Sequence, residues 1–197
     1  MGDDLHPNPE EAWQLTAQGR TDARDFGRRI PAFAHLFLTH SRIARTRDTA
    51  LEIASGFREA HPNSIVEIEG VDPALSLTTY YARNQTLREQ WKEKLGLQFY
   101  DEWLRGQIPK EVLAPVREAV SDLVERLHSR IELSPVSSLA LAVSHDVYIF
   151  AVRQALFGRR AAEWPSIGYL DGVILTWDPE GHLVARCHDE TARGGPR

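Results

Sequence analysis

Residues 138–146 read Ser138-Leu-Ala-Leu-Ala-Val-Ser-His-Asp146, an apolar run that ends in a histidine and an aspartate. The run predicts a buried, central strand, and the pattern from Val147 to Phe157 predicts a helix that Gly158 ends. A second segment repeats this arrangement, because a strand from Ala34 to Thr39 leads into a helix with a basic start. Alternating strands and helices indicate a three-layer α/β/α sandwich with a mostly parallel central sheet. Ligands of such sheets bind at the carboxyl ends of the strands, where both segments place polar residues.

The rest of the chain extends this alternation. Periodicity and helix breakers predict a helix from Thr16 to Ile30, a helix capped by Ser41 and ended at His61-Pro62, a strand from Ser64 to Glu69, and a hairpin of Tyr169 to Asp178 with His182 to Arg186. We expect one domain over residues 1–187 and a flexible tail at residues 188–197. A helical insertion covers about residues 75–131, with helices at Leu87 to Leu95, Gln98 to Leu104 and Pro115 to Ile131.

Composition and motifs indicate which kinds of binding partner the chain is expected to lack. The net charge of -5 is spread without long runs of like charge, so we expect no nucleic-acid-binding surface. No apolar stretch approaches the roughly 20 residues that span a bilayer, and the start does not resemble a secretory signal if Met1 is the true start. The single cysteine, Cys187, excludes an internal disulfide and favours a reducing, cytoplasmic location. The histidines lack metal-ligand spacing and no glycine-rich phosphate loop is present, so no metal or cofactor is expected. The oligomeric state stays open.

The basic helix start is a candidate anion site. Ser41 can cap the helix while Arg42 and Arg45 lie in its first turn, where backbone N-H groups and the helix dipole favour an anion. Arginine adds a planar, permanent charge that matches phosphate oxygens. The alternative is a solvated helix face on which Arg45 pairs with Asp48 or Glu52 at helical spacing.

The His-Asp pair is a candidate catalytic group. His145 at a strand end is placed at the edge of a site, and Asp146 beside it could deliver a proton to a leaving oxygen. The alternative is a histidine satisfied by a neighbouring carbonyl and an aspartate that caps the helix from Val147. His40, which precedes Ser41, is a further candidate for lining the site at the strand ends. A polar residue at a strand end, however, needs no such role.

Three motifs, in this order, resemble the histidine phosphatase (phosphoglycerate mutase-like) superfamily: Leu15-Thr-Ala-Gln-Gly19, Ser41-Arg-Ile-Ala-Arg-Thr-Arg-Asp-Thr-Ala50 and Val143-Ser-His-Asp146. By this resemblance Arg45 would bind the transferred phosphoryl group, His145 would be the second, non-nucleophilic histidine, and Asp146 would be the proton donor. Ser41, Arg42 and His40 would stand beside them as substrate-binding residues. The family reaction is attack of a histidine on a phosphomonoester, which gives a phosphohistidine. The resemblance therefore implies a small phosphorylated substrate.

The family's hallmark, a first strand that ends in Arg-His-Gly, is absent from the sequence, and Arg42 replaces a usual proline. Two interpretations compete. In the first, Met1 is an internal methionine and the nucleophilic histidine is encoded upstream, because residues 1–8 are typical of the loop that follows such a strand. In the second, the chain is a catalytically inactive phosphoester-binding or protein-interaction module of the same fold.

Overall fold

A computed structural model describes residues 14–158, 167–178 and 180–188 of the 197-residue chain. Within these residues the protein has seven α-helices and five strands. In chain order they are α1 (Ala17–Arg29), β1 (His35–His40), α2 (Ala44–Ala60), β2 (Ile65–Val71), a 3-10 turn (Pro73–Leu75), α3 (Leu77–Tyr80), α4 (Gln85–Leu95), α5 (Gln98–Leu104), α6 (Val116–Glu132), β3 (Ser138–Val143), α7 (Asp146–Phe157), β4 (Val173–Trp177) and β5 (Leu183–Cys187). The predicted mixture of helices with a parallel sheet is confirmed, and most predicted elements end within three residues of the observed ones.

Contacts divide the chain into two compact units. The first comprises Met1–Ser76 with Arg126–Ser144, and the second comprises Leu77–Glu125 with His145–Arg197. The boundary after Ser76 lies close to the predicted start of the helical insertion. The expectation of a single domain stays a prediction, and the two units are described separately below.

The first unit is built on a parallel sheet with the strand order β2-β1-β3. The central strand, β1, buries Leu36, Phe37 and Leu38, with Leu36 and Leu38 fully inaccessible. The run from Leu139 was predicted to be a buried, central strand; among the described strands β3 pairs with β1 alone, and all of its residues are half-buried. An apolar run shows that a strand packs on both faces, but it does not show how many strands it pairs with.

Helices α1 and α2 pack closely through two glycines. Ideal Cβ atoms at Gly27 and Gly56 would lie 2.1 Å from the carbonyl oxygen of Ile53 and 1.9 Å from that of Arg24. The two backbones therefore touch where a side chain would separate them. Around this crossing, arginines of α1 bind acids of α2, with Arg24 to Glu52 at 2.8 Å. The side chain of Thr16 accepts a hydrogen bond from the Gly19 amide at 3.0 Å and caps α1.

The second unit contains the helical insertion and α7. Trp103 is buried and its indole N-H donates to the Ala114 carbonyl at 2.9 Å, which joins α5 to the segment before α6. Helix α7 ends as predicted at Gly158, whose φ of 71° is the left-handed conformation that glycine favours. Strands β4 and β5 form the predicted antiparallel hairpin. Pro179 of its turn and residues 189–197 of the predicted tail lie outside the described residues.

Candidate functional site

The carboxyl ends of β1 and β3 lie side by side in the first unit. His40 is paired with Val143, and the Ser41 amide donates to the Val143 carbonyl at 3.1 Å. The Ser144 hydroxyl then donates to the Leu75 carbonyl at 2.8 Å, which holds the chain as it leaves β3. The prediction that both polar segments follow strand ends is therefore confirmed, and His145 is two residues beyond Val143 along the chain.

A buried polar cluster shapes the turn between β1 and α2. Ser41 is fully buried, and its hydroxyl lies 2.8 Å from the hydroxyl of Thr46, which is 3% exposed. The Ser41 carbonyl accepts hydrogen bonds from the Thr46 hydroxyl at 3.1 Å and from His40 Nδ1 at 2.7 Å. His40 is itself buried, so the structure gives both residues contacts that support the turn.

The prediction that Ser41 caps the helix is wrong. Helix α2 begins at Ala44, and the residue at its N-cap is Ile43, which has no side-chain acceptor to offer. The Ser41 hydroxyl lies 3.4 Å from the Ile43 amide, a long distance for a hydrogen bond, because it is engaged with Thr46. The N-cap residue of α2 therefore makes no side-chain capping hydrogen bond.

Positive charge is concentrated at this helix start. The first turn of α2 contains Arg45 and Arg47 and no acidic residue, and the exposed Arg42 precedes it. Asp48 compensates the charge of Arg47, and an anion bound at the helix start would add further compensation at the positive end of the helix dipole. The arrangement is therefore suited to bind an anion such as a phosphoryl group.

Asp48 is the buried carboxylate behind this turn. It is 5% exposed and binds Arg20 at 2.6 Å and Arg47 at 3.0 Å. Burial alone would raise the pKa of Asp48, but hydrogen bonds from Arg47 and Arg20, together with their charges, hold that pKa below its usual value. Glu52, the other acid at helical spacing from Arg45, binds Arg24 and Arg20. Both acids considered as partners for Arg45 are thus bound to other arginines.

In the second unit, His145 is the N-cap residue of α7 and Asp146 is the first residue of that helix. His145 is half-buried, and its ring meets the ring of Tyr148 edge to face, with centroids 5.6 Å apart and planes at 72°. Asp146 is exposed, and its Oδ1 accepts a hydrogen bond from the Val147 amide at 2.8 Å. The aspartate thus stabilises the helix start, as the alternative interpretation expects, while its outer position leaves it in contact with solvent.

A family comparison identifies the chain. The model of the histidine phosphatase superfamily (branch 1) matches residues 9–190, which is most of the sequence. The chain belongs to the histidine phosphatase superfamily. Membership supports a phosphatase-type function and confirms the resemblance drawn from the three motifs.

Solved structures are similar to this member of the superfamily at low sequence identity. A protein named mycobacterial hydrolase 2 is 19% identical, with a TM-score of 0.50, 89% of this chain covered and 78% of the other. A mycobacterial glucosyl-3-phosphoglycerate phosphatase is 21% identical, with a TM-score of 0.46 and coverages of 89% and 85%. The alpha-ribazole phosphatase of Shigella flexneri is 12% identical, with a TM-score of 0.49 and coverages of 88% and 82%. No curated protein sequence matches the chain.

Thr46 and Tyr148 beside the candidate site were not singled out from the sequence, and Asp48 was considered only as a partner of Arg45. Thr46 and Asp48 are buried polar residues near the apolar stripe of α2, and their helical spacing from Ala50 and Glu52 was the signal available. Tyr148 lies one helical turn after His145, so its position also offered a signal.

The described residues were also compared with the requirements of a metal site and of a membrane-spanning helix. Among the described residues one group, Asp178, Glu180 and His182, brings three ligand atoms within 4.8 Å of one another in the hairpin turn. His182 is already hydrogen-bonded to Asp178 at 3.1 Å, and the group is largely exposed. No helix in the described part of the chain is long and apolar enough to cross a membrane.

Proposed function

We propose that this protein hydrolyses a small phosphomonoester through a phosphohistidine intermediate. The observation that carries the proposal is the cationic start of α2, where Arg45 lies in a first turn without acidic residues and Arg42 precedes it, in a chain of the histidine phosphatase superfamily. A phosphoryl group supplies the negative charge that this turn lacks.

Each predicted site residue has a role in this proposal. Arg45 binds the equatorial oxygens of the phosphoryl group, and the exposed Arg42 contacts the substrate beside it. His40 and Ser41 act through the turn that they hold, since their side-chain contacts support the backbone there. His145 is the second histidine that contacts the phosphoryl group, and Asp146 is the proton donor.

The reaction has two balanced steps. In the first, an imidazole nitrogen of a nucleophilic histidine bonds to phosphorus while the bond from phosphorus to the alcohol oxygen breaks, and Asp146 protonates that oxygen. In the second, water attacks phosphorus and gives a proton to the Asp146 carboxylate, the P-N bond breaks, and inorganic phosphate leaves. The arginine and His145 stabilise the charge on the transferred group in both steps.

The nucleophilic histidine is proposed to be encoded upstream of Met1. The proposal is supported by family membership together with the absence of Arg-His-Gly from the sequence. It is also supported by β3, whose five apolar residues are only half-buried and which pairs with β1 alone among the described strands. An additional strand beside β3 would bury these side chains and pair the open edge.

The decisive experiment compares two proteins. One is this exact chain and the other is extended by the upstream in-frame codons, and both are assayed with a generic aryl phosphate. We expect turnover only from the extended protein, and a loss of about 100-fold or more in kcat on Arg45→Ala or His145→Ala. Arg58→Ala, an exposed arginine at the far end of the same helix, is the matched control and should leave turnover unchanged.

Other outcomes separate the alternatives. An upstream reading without Arg-His-Gly would reject the truncation proposal. If neither protein turns over but inorganic phosphate binds and Arg45→Ala removes that binding, the chain is an inactive phosphoester-binding module. Turnover by the exact chain that survives His145→Ala would contradict both accounts.

A further inference from the structure

We propose that Tyr148 is a positioning residue that fixes the imidazole of His145. This inference rests on the proposed function, because it assigns the ring orientation in which His145 meets a phosphoryl group. Its basis is the edge-to-face contact between the two rings, 5.6 Å between centroids at 72°, across one turn of α7. Such pairs prefer this geometry, and their contact restricts the rotation of both rings.

The backbone between the two residues reinforces the contact. The amides of Tyr148 and Ile149 donate to the His145 carbonyl at 3.0 and 3.2 Å, so the first turn of α7 closes directly onto the histidine. With the backbone of His145 fixed in this way, only its side-chain torsion angles can change. The ring of Tyr148 limits those torsions in this half-buried residue.

Tyr148 can serve this purpose because it is itself held in place. It is 8% exposed and shares the buried face of α7 with Ala151 and Val152. Its hydroxyl lies 3.4 Å from the hydroxyl of Thr78, which is 1% exposed. The Thr78 carbonyl in turn accepts a hydrogen bond of 2.5 Å from Nε of the buried Arg88.

These contacts connect the helical insertion to the histidine. Arg88 lies in α4 and Thr78 in α3, while His145 and Tyr148 belong to the start of α7. Because the contact between the two hydroxyls is long, we assign the positioning effect to the ring of Tyr148 rather than to its hydroxyl. A change of the ring and a change of the hydroxyl should therefore have different effects.

The test measures the two rings and phosphate binding in the full chain. In the unaltered protein, we expect nuclear Overhauser effects between the ring protons of His145 and Tyr148. Tyr148→Leu should move the ring-proton shifts of His145, because the ring current of the tyrosine is lost, and should weaken inorganic phosphate binding by roughly 2- to 10-fold. Tyr148→Phe should restore both properties, and Tyr169→Leu, which changes a 97% exposed tyrosine, should alter neither.

The outcomes distinguish this inference from the function on which it rests. Absence of the Overhauser effects in the unaltered protein overturns the inference even if Tyr148→Leu does not fold. A folded Tyr148→Leu protein with unchanged His145 shifts and phosphate affinity overturns it as well. If neither the unaltered protein nor the protein extended upstream of Met1 binds phosphate while the ring contacts and shifts behave as expected, the positioning stands and the proposed function fails.

Discussion

At the scale of single residues, Asp48 divides the arginines around the start of α2 into two groups. Arg20 and Arg47 are bound to this buried carboxylate, so their charges are compensated within the protein. Arg45 precedes Asp48 by three residues, and Glu52 binds Arg20 and Arg24. The carboxylate of Asp48 therefore neutralises Arg20 and Arg47, while Arg45 adds positive charge at the start of the helix. This arrangement is suited to bind an anion there.

Asp48→Asn should destabilise the protein at neutral pH. The substitution removes the charge that Arg20 and Arg47 bind, and we expect a loss of about 1–3 kcal/mol in the free energy of unfolding. Since the pKa of Asp48 is lowered in the folded state, its contribution is present above the unfolded pKa of about 3.9 and is lost as the pH falls through the folded value. Urea unfolding at pH 7 and below pH 4 should show the difference from the unaltered protein shrinking in acid.

The control for this prediction is Asp25→Asn. Asp25 pairs with Arg28, and both side chains are about half exposed, so the loss should stay below about 1 kcal/mol. Equal losses from the two substitutions, or a difference at Asp48 that does not depend on pH, would contradict the role assigned to the buried carboxylate.

At the scale of elements, the features set by neighbouring residues were predicted better than the features set by distant parts of the chain. The pattern of Gln98 to Leu104 gave the observed bounds of α5, and Gly158 ended α7, because both depend on neighbours within a few residues. The cap at Ser41 was wrongly predicted since Thr46, five residues on, engages its hydroxyl. The position of β3 at a sheet edge could not be read from its apolar residues, since strand order depends on segments a hundred residues away.

The contact between Tyr148 and Thr78 illustrates the same limit in the site. The two hydroxyls meet across 70 positions of sequence, so no local pattern pairs them. Arg45, His145 and Asp146 were predicted because their motifs are local and their order is that of the family. Thr78 was not singled out because its contact with Tyr148 joins two different helices.

The crossing of α1 and α2 should not tolerate a methyl group. Gly27→Ala or Gly56→Ala would place Cβ about 2 Å from a backbone carbonyl oxygen, so the helices must separate. We expect a loss of about 1–3 kcal/mol in unfolding free energy, despite the better helix propensity of alanine. Thermal and urea unfolding of the purified variants measure this loss.

Gly19→Ala is the matched control in the same helix. Its Cβ would meet the end of the Leu15 side chain, which can move, so we expect unchanged stability or a gain of up to about 1 kcal/mol. A loss at Gly19 equal to that at Gly27 would show that helix α1 is sensitive to any substitution, rather than to its close approach to α2.

At the scale of the whole molecule, the two edges of the first unit's sheet differ in chemistry. The outer strand β2 exposes Glu67, a charge that discourages pairing with another strand, and its Glu69 binds Arg130. Strand β3 at the other edge carries no charge and no proline, so nothing in its sequence opposes a partner. Pairing with a further strand is therefore disfavoured beside β2 and unopposed beside β3. This asymmetry is expected if a further strand pairs with β3.

Hydrogen exchange can test this asymmetry directly. In a parallel pair, every second amide of β3 points toward β1 and the others point away, so in the exact chain only the first set should be protected. In the protein extended upstream of Met1, the second set should be slowed by roughly 100-fold, while the amides of β1, a strand paired on both sides, should be unchanged. Equal exchange of β3 in the two proteins would mean that the upstream segment does not pair there, and the nucleophile would have to reach the site from elsewhere.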